Sequence, residues 1–319
     1  MPVLPEIEPI LAVVNDPSRP KPGTLPAADV RKGYVAFAGL AGPPPELFSV
    51  EDRSIAGPAG ALPIRIYRPS ADVLPVLVWV HGGGWTIGDL ETDNTRCAVM
   101  AQRAGIVVVS VDYRLAPEHP FPAAIHDTVA AVKWVAGNAG DLGIEASAIA
   151  LGGDSAGGNL TAVAAQLLRD EGDSPLRFQL LVYPATDLRG DYPSMRDNAS
   201  GYYLTKDGMD WFDLMYSPGI NPADPRRSPL LGRLDGLPPA LLMTCEFDPL
   251  RDEGAAYALA LNEAGVPCTH INYEAMIHTC FGMENLWPST KVMMEDAVGA
   301  LRVGLGLEAG LEAGLEVAR

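Results

Sequence analysis

Short apolar runs alternate along the chain with longer stretches whose apolar positions recur at helical spacing. Seven runs have strand length: "ALPIRIYRP" from 61, "PVLVWVH" from 75, "IVVVSVDY" from 106, "SAIALGG" from 147, "FQLLVYP" from 178, "ALLMTCEFD" from 240 and "CTHINYEA" from 268. An eighth, weaker, lies near "LFSVEDRSI" at 47–55. Helical patterns fall near 92–104, 121–138, 155–170, 251–264 and 289–305. A strand buried on both faces reads as an unbroken apolar run, as "IVVVSV" does, and alternation with helices implies mostly parallel pairing. The pattern predicts a doubly wound α/β sheet.

Two regions interrupt the rhythm. The first 45 residues carry one short amphipathic stretch and then proline-rich linkers, "PSRPKPGTLPAADV" and "GPPPEL". Residues 186 to about 228 read as polar turns around "TKDGMDWFDLMYSPG". Loop-closure entropy grows slowly with length, so such an insertion costs the sheet little, and the two segments together suit a lid. The tail "GLGLEAGLEAGLEVAR" repeats a four-residue unit too few times for a solenoid and reads as a frayed helical extension.

Composition narrows the function classes. With 48% apolar residues in 319, a substantial core can form. The net charge is −17 and only five lysines occur, so no basic stripe is present to neutralise a phosphate backbone, and nucleic acid is excluded as a partner. No apolar run approaches the roughly 18 to 20 residues of a membrane span, and "MPVLPEIEPI" lacks the basic and apolar regions of a signal peptide, which predicts a cytoplasmic protein. Cys97, Cys245, Cys268 and Cys280 form no CxxC pair and read as free thiols; Cys280, two residues from His278, is the one near candidate chemistry.

"GGDSAGG" at 152–158 lacks the lysine of a phosphate-binding loop and the position of a dinucleotide fingerprint. It does contain GxSxG, with Ser155 at its centre, between a predicted strand and a predicted helix. Small neighbours permit the sharp turn that lifts a serine hydroxyl above a sheet, and the helix N-terminus behind it favours developing negative charge. A plain glycine turn is the alternative. "HGGGW" at 81–85 directly follows another strand, and its side-chain-free glycines leave N–H groups able to face a tetrahedral oxyanion. A serine nucleophile also needs a base and an acid to orient it. His81 belongs to the glycine loop, His119 and His126 precede the serine, and His270 lies within a strand, which leaves His278 in "MIHTCFGM". For the acid, "LLMTCEFDPLRDEG" offers Glu246, Asp248, Asp252 and Glu253; Asp248, at the strand end before a turn proline, is best placed, with Asp252 as the alternative.

The signatures "HGGGW", "DYRLAPEHPFPAAIHD", "GDSAGG", "DPLRDEG" and "IHTCFGM", in this order, closely resemble the hormone-sensitive-lipase-like α/β-hydrolases, the bacterial family IV carboxylesterases, over about residues 48–285. The resemblance implies an α/β-hydrolase fold whose eight-stranded, mostly parallel sheet spans 46–185 and 229–319. A helical cap would be made of 1–45 and 186–228. It implies that Ser155 attacks the ester, that His278 is base and then acid, and that Asp248 orients it. The N–H groups of Gly83, Gly84 and Ala156 would form the oxyanion hole, with Arg114 and Glu118 supporting the glycine loop. By family analogy Trp85 and Tyr183 line the acyl side, with Leu204, Met209, Trp211 and Phe212 from the cap. The implied activity is hydrolysis of short to medium acyl esters without metal or organic cofactor, by a chain that forms homodimers as relatives often do. A small-amide hydrolase on the same triad, or a ligand-binding receptor on the same scaffold, are the competing readings.

Overall fold

The computed structural model describes residues 2–18, 20, 23–172 and 174–308. Eight strands form one sheet: β1 Ser49–Gly57, β2 Gly60–Arg68, β3 Leu74–Val80, β4 Val107–Val111, β5 Ile144–Asp154, β6 Leu176–Val182, β7 Ala240–Phe247 and β8 Cys268–Ile277. Their spatial order is β1-β2-β4-β3-β5-β6-β7-β8. β2 runs antiparallel to both its neighbours, and every pair from β4 to β8 is parallel. The ten helices among the described residues are α1 Glu8–Val14, α2 Ala27–Ala38, α3 Asn94–Ala104, α4 Ala123–Gly137, α5 Ala139–Leu142, α6 Ala156–Asp170, α7 Pro193–Asp197, α8 Lys206–Tyr216, α9 Arg251–Glu263 and α10 Lys291–Gly304. None is long and apolar enough to cross a membrane.

The strand pleat divides the core. Leu77 and Trp79 of β3 pack on the face covered by α3 and α10, while Val76, Val78 and Val80 point to the face covered by α4 and α6. A third cluster joins Leu181 and Leu242 to Tyr257 and Leu261 of α9. Central β4 is buried at all five residues, as its unbroken apolar run requires. Edge strand β8 is exposed or half-buried over its first five residues and becomes buried at Met276 and Ile277, where it approaches the site.

All eight predicted strands form, and each of the five predicted helices overlaps a helix of the structure. The segment read as polar turns differs: Lys206–Tyr216 is the helix α8. The Thr205 hydroxyl caps it, accepting from the Gly208 N–H at 3.1 Å, and Met209, Phe212 and Tyr216 share one inward face. Likewise "AADV", read with the proline-rich linkers, opens α2. The two segments meet: the Asn15 amide donates to the Gly201 carbonyl at 2.9 Å, and the Phe37 and Tyr203 rings lie 5.0 Å apart. The repeat tail lies outside the described residues from 309 onward.

The topology places chemistry at one spot. The chain lays β4 on one side of β3 and β5 on the other, so the loops after β3 and β5 diverge over a crevice at their carboxyl ends, where open α/β sheets bind ligands. "HGGGW" and "DSAGG" occupy those two loops.

Candidate active site

Ser155 sits between β5 and α6 with φ 54° and ψ −118°, a left-handed conformation that non-glycine residues rarely adopt. Its N–H donates to the Val182 carbonyl at 2.9 Å, which fixes the turn to β6. The turn needs glycines on both sides: a Cβ on Gly157 would lie 1.9 Å from the Val80 carbonyl oxygen, and one on Gly153 would lie 2.5 Å from the same oxygen. Both obstacles are backbone. Gly157→Ala should therefore destabilise by more than about 4 kcal/mol or fail to fold, in contrast to Gly140→Ala in α5, where a Cβ meets nothing within 4 Å. Urea unfolding of the two variants checks the difference; equal midpoints would contradict it.

The His278 imidazole is 2.9 Å from the Ser155 hydroxyl through Nε2 and 2.6 Å from Asp248 Oδ2 through Nδ1. Asp248 is fully buried, and its other oxygen accepts the Leu250 N–H at 2.8 Å. Asn198 of the insertion donates to the Asp248 carbonyl at 3.2 Å, so the insertion also grips the acid's backbone. The Tyr183 ring lies 4.4 Å from the imidazole, tilted by 51°, and restricts its rotation.

The other acids are committed elsewhere. Asp252 accepts from the Ser194 N–H at 2.8 Å and pairs with Arg251 at 2.7 Å. Glu246 accepts from the Ala275 N–H at 2.7 Å. Glu253 is buried and accepts from the N–H groups of Thr186 and Asp187 at 2.7 and 3.2 Å. Burial outweighs those two bonds and pushes its carboxyl up to about 8 from 4.5. The folded chain thus holds a proton that the unfolded chain releases near pH 4.5, so stability is highest below that value and falls as pH rises towards 8. Glu253→Gln keeps both acceptor contacts without the charge, and it should raise the melting temperature by a few degrees at pH 8 and hardly at pH 5. Equal shifts at both pH values would contradict the assignment.

Four histidines lie apart from Ser155. His81 stacks on Tyr113 at 4.2 Å, His270 bonds the Thr244 hydroxyl at 2.9 Å, and His119 and His126 are exposed. Cys280 is buried in the core, and burial pushes its thiol up to about 12, so it is no nucleophile near neutrality.

Across the crevice, the glycine loop turns tightly: the Gly83 carbonyl accepts from Thr86 and Ile87 N–H at 3.0 and 2.9 Å. Gly83 and Gly84 have φ of 110° and 55°. A Cβ on Gly84 would lie 2.2 Å from the Phe212 ring, so α8 lies directly against the loop. Among the described residues the N–H groups of Gly83, Gly84 and Ala156 donate to no protein acceptor, which leaves them for a ligand. Trp85 stacks on Tyr216 at 4.5 Å, and Leu204 and Met209 pack against the same cluster. Trp211 rests edge-on against Phe212 at 5.1 Å.

Several supports have partners that the sequence does not name. Asp154 ties the two loops together by accepting the Gly82 N–H at 2.7 Å, and Arg96 bridges it to Asp93 with both contacts at 3.1 Å. Arg31 of α2 donates to the carbonyls of Thr86 and Ala116, both at 2.8 Å, and clamps Glu118 with two bonds. That clamp holds the Glu118 carboxyl down at about 2. Arg114 pairs with buried Asp127 at 2.8 Å, bracing the "YRLAPE" segment. The only sequence signal for Arg31 is its position in a helix that the prolines obscure.

A serine, an acid and a histidine in this chain order, beside a glycine loop at the carboxyl ends of parallel strands, is the arrangement of an α/β hydrolase. Residues 77–282 match a family described as having the α/β hydrolase fold. The chain is 45% identical to the carboxylesterase NlhH of Mycobacterium tuberculosis, covering 86% of this chain and 88% of that protein. It is 39% identical to an arylesterase of Saccharolobus solfataricus over 75% and 78% of the two chains. A hyperthermophilic esterase from Pyrobaculum calidifontis superposes with a TM-score of 0.90 at 38% identity, covering 95% of this chain and 98% of that one. The chain belongs to the α/β-hydrolase family, in its hormone-sensitive-lipase-like carboxylesterase group.

Proposed function

We propose that the protein is a serine carboxylesterase acting on short to medium acyl esters through an acyl-enzyme. The observation that carries this reading is the continuous chain from Ser155 Oγ through His278 to Asp248, with contacts of 2.9 and 2.6 Å. His278 takes the serine proton as Oγ attacks the carbonyl, and Asp248 orients the imidazole and stabilises its charge. The N–H groups of Gly83, Gly84 and Ala156 receive the oxyanion; losing one such donor typically raises the barrier by about 2.7 to 4 kcal/mol. His278 then protonates the leaving alcohol, and water repeats the sequence on the acyl-enzyme. None of these steps calls for a metal or organic cofactor.

Residues 1–45 and 186–228 serve in this reading as the cap over the crevice. The apolar side chains of Phe212, Met209 and Leu204, with Trp85 and Tyr183, bound the acyl chain and limit its length. The same reading places the enzyme in the cytoplasm, supported by the absence of a disulfide among the described cysteines, and as a homodimer, supported by the resemblance alone.

Pre-steady-state hydrolysis of p-nitrophenyl butyrate tests the mechanism. The expected result is a burst of about one equivalent of nitrophenol per chain, with turnover falling from butyrate to laurate. No burst at any temperature, together with faster cleavage of the matched anilide than of the ester, would instead favour an amidase.

A further inference from the structure

The hydrolytic steps leave unused a small cavity that the chain neighbours of Ser155 and His278 line. It is lined by Tyr34 and Phe37 of α2, Thr92 and Arg96 around the start of α3, and Asp154 and Thr279, the neighbours of Ser155 and His278. Its interior of about 20 Å³ takes one or two non-hydrogen atoms.

The walls are mixed, with Phe37, Ala38, Ala41 and Met283 apolar, and two of the polar groups are underused. Arg96 is nine-tenths buried; Nη1 serves Asp93 and Asp154, while buried Nε has no partner among the described residues. Gly282, at φ 80°, leaves Nε uncovered, since a Cβ there would lie 2.7 Å from it. The buried Thr279 hydroxyl also lacks a partner, and Thr279 is a β-branched residue held at φ 79°. Strain of that kind is kept where the surroundings fix it, most often beside functional sites. Burial, then the charges of Asp154 and Asp93, hold the Tyr34 hydroxyl well above its ordinary pKa, so it stays a neutral donor and acceptor.

The chemistry and place of the occupant follow. The departing alkoxide must take its proton from His278 Nε2, so the alcohol half of an ester leaves on the histidine side, where Thr279 stands. Two carboxylates against one guanidinium disfavour an anion. An alkyl group would leave Arg96 Nε and the Thr279 hydroxyl buried and unpaired. A neutral hydroxyl can accept from the first and exchange bonds with the second.

We propose that this cavity binds a hydroxyl on the alcohol half of the ester, making hydroxyalkyl esters, the monoesters of small diols and polyols, better substrates than esters of simple alkanols. The proposal rests on the serine esterase reading above.

The test compares kcat/KM for 2-hydroxyethyl butyrate and propyl butyrate, which differ by a hydroxyl in place of a methyl, each normalised to its rate with hydroxide. The wild-type enzyme should favour the hydroxyethyl ester roughly tenfold. Thr279→Val should remove most of that preference while leaving propyl butyrate within about twofold of wild type, and Tyr34→Phe, at another lining residue, should reduce it in the same direction. Equal normalised values in the wild type overturn the subsite, as does an equal fall on both esters in Thr279→Val, which would make Thr279 a positioning residue for His278. Hydrolysis of neither ester would overturn the esterase reading itself, a separate failure.

Discussion

Ser155→Ala is expected to lower kcat on p-nitrophenyl butyrate by on the order of a million-fold, with the melting temperature within a few degrees of wild type. The large effect follows from the geometry. Ser155 Oγ is 2.9 Å from His278 Nε2, and among the described residues no other hydroxyl or thiol is hydrogen-bonded to that nitrogen. The small effect on folding follows from the backbone: alanine tolerates φ 54° no worse than serine, and among the described residues Ser155 Oγ bonds only to His278. His278→Ala should match the loss, because nucleophile and base act as one unit and their removals do not add. Activity within tenfold of wild type in Ser155→Ala would dismiss the serine as nucleophile.

Asp248→Asn should lower kcat by roughly ten-thousand-fold and leave KM and folding little changed. An amide at this position can donate to His278 Nδ1, which leaves the imidazole in the tautomer that cannot accept the serine proton. The buried contact at 2.6 Å would form in the wrong sense. Asp252→Asn separates role from proximity, since Asp252 lies four residues on and bonds Ser194 and Arg251 instead. It should cost less than about tenfold in kcat and about 1 kcal/mol in stability. Measuring kcat and urea midpoints for both variants decides between the two acids; the reverse pattern would move the acid to Asp252.

The residues that were legible in the sequence are those whose local pattern carries their own geometry. "GDSAGG" announces a tight strand-to-helix turn because only glycines clear the Val80 carbonyl, and "HGGGW" announces bare N–H groups. The sheet was legible because strands buried on both faces must be continuously apolar. α8 was harder to see. Its apolar positions Met209, Phe212 and Tyr216 are separated by Asp210 and Asp213, and "TKDG" before them reads as a turn until Thr205 is recognised as a cap. Arg31, Tyr34 and Arg96 were invisible for a different reason: each acts on groups distant in the chain, Arg31 on Glu118, Arg96 on Asp154, and Tyr34 in the field of the same aspartate. Single charged or aromatic residues on a helix carry no pattern that names such partners. Tyr183 was placed on the substrate side by analogy, and its ring also lies 4.4 Å from the His278 imidazole, a contact the sequence does not name.

In the proposed reading, the glycine loop, the strained serine and the cap segments converge on one event, the transfer of an acyl group to Ser155. Mass spectrometry of the protein after incubation with an ester-like fluorophosphonate tests that event most directly. The expected result is one adduct per chain, on the peptide containing Ser155, with activity lost in proportion to labelling and no adduct in Ser155→Ala. Full labelling at another residue, or an active enzyme that carries no adduct at Ser155, would contradict it.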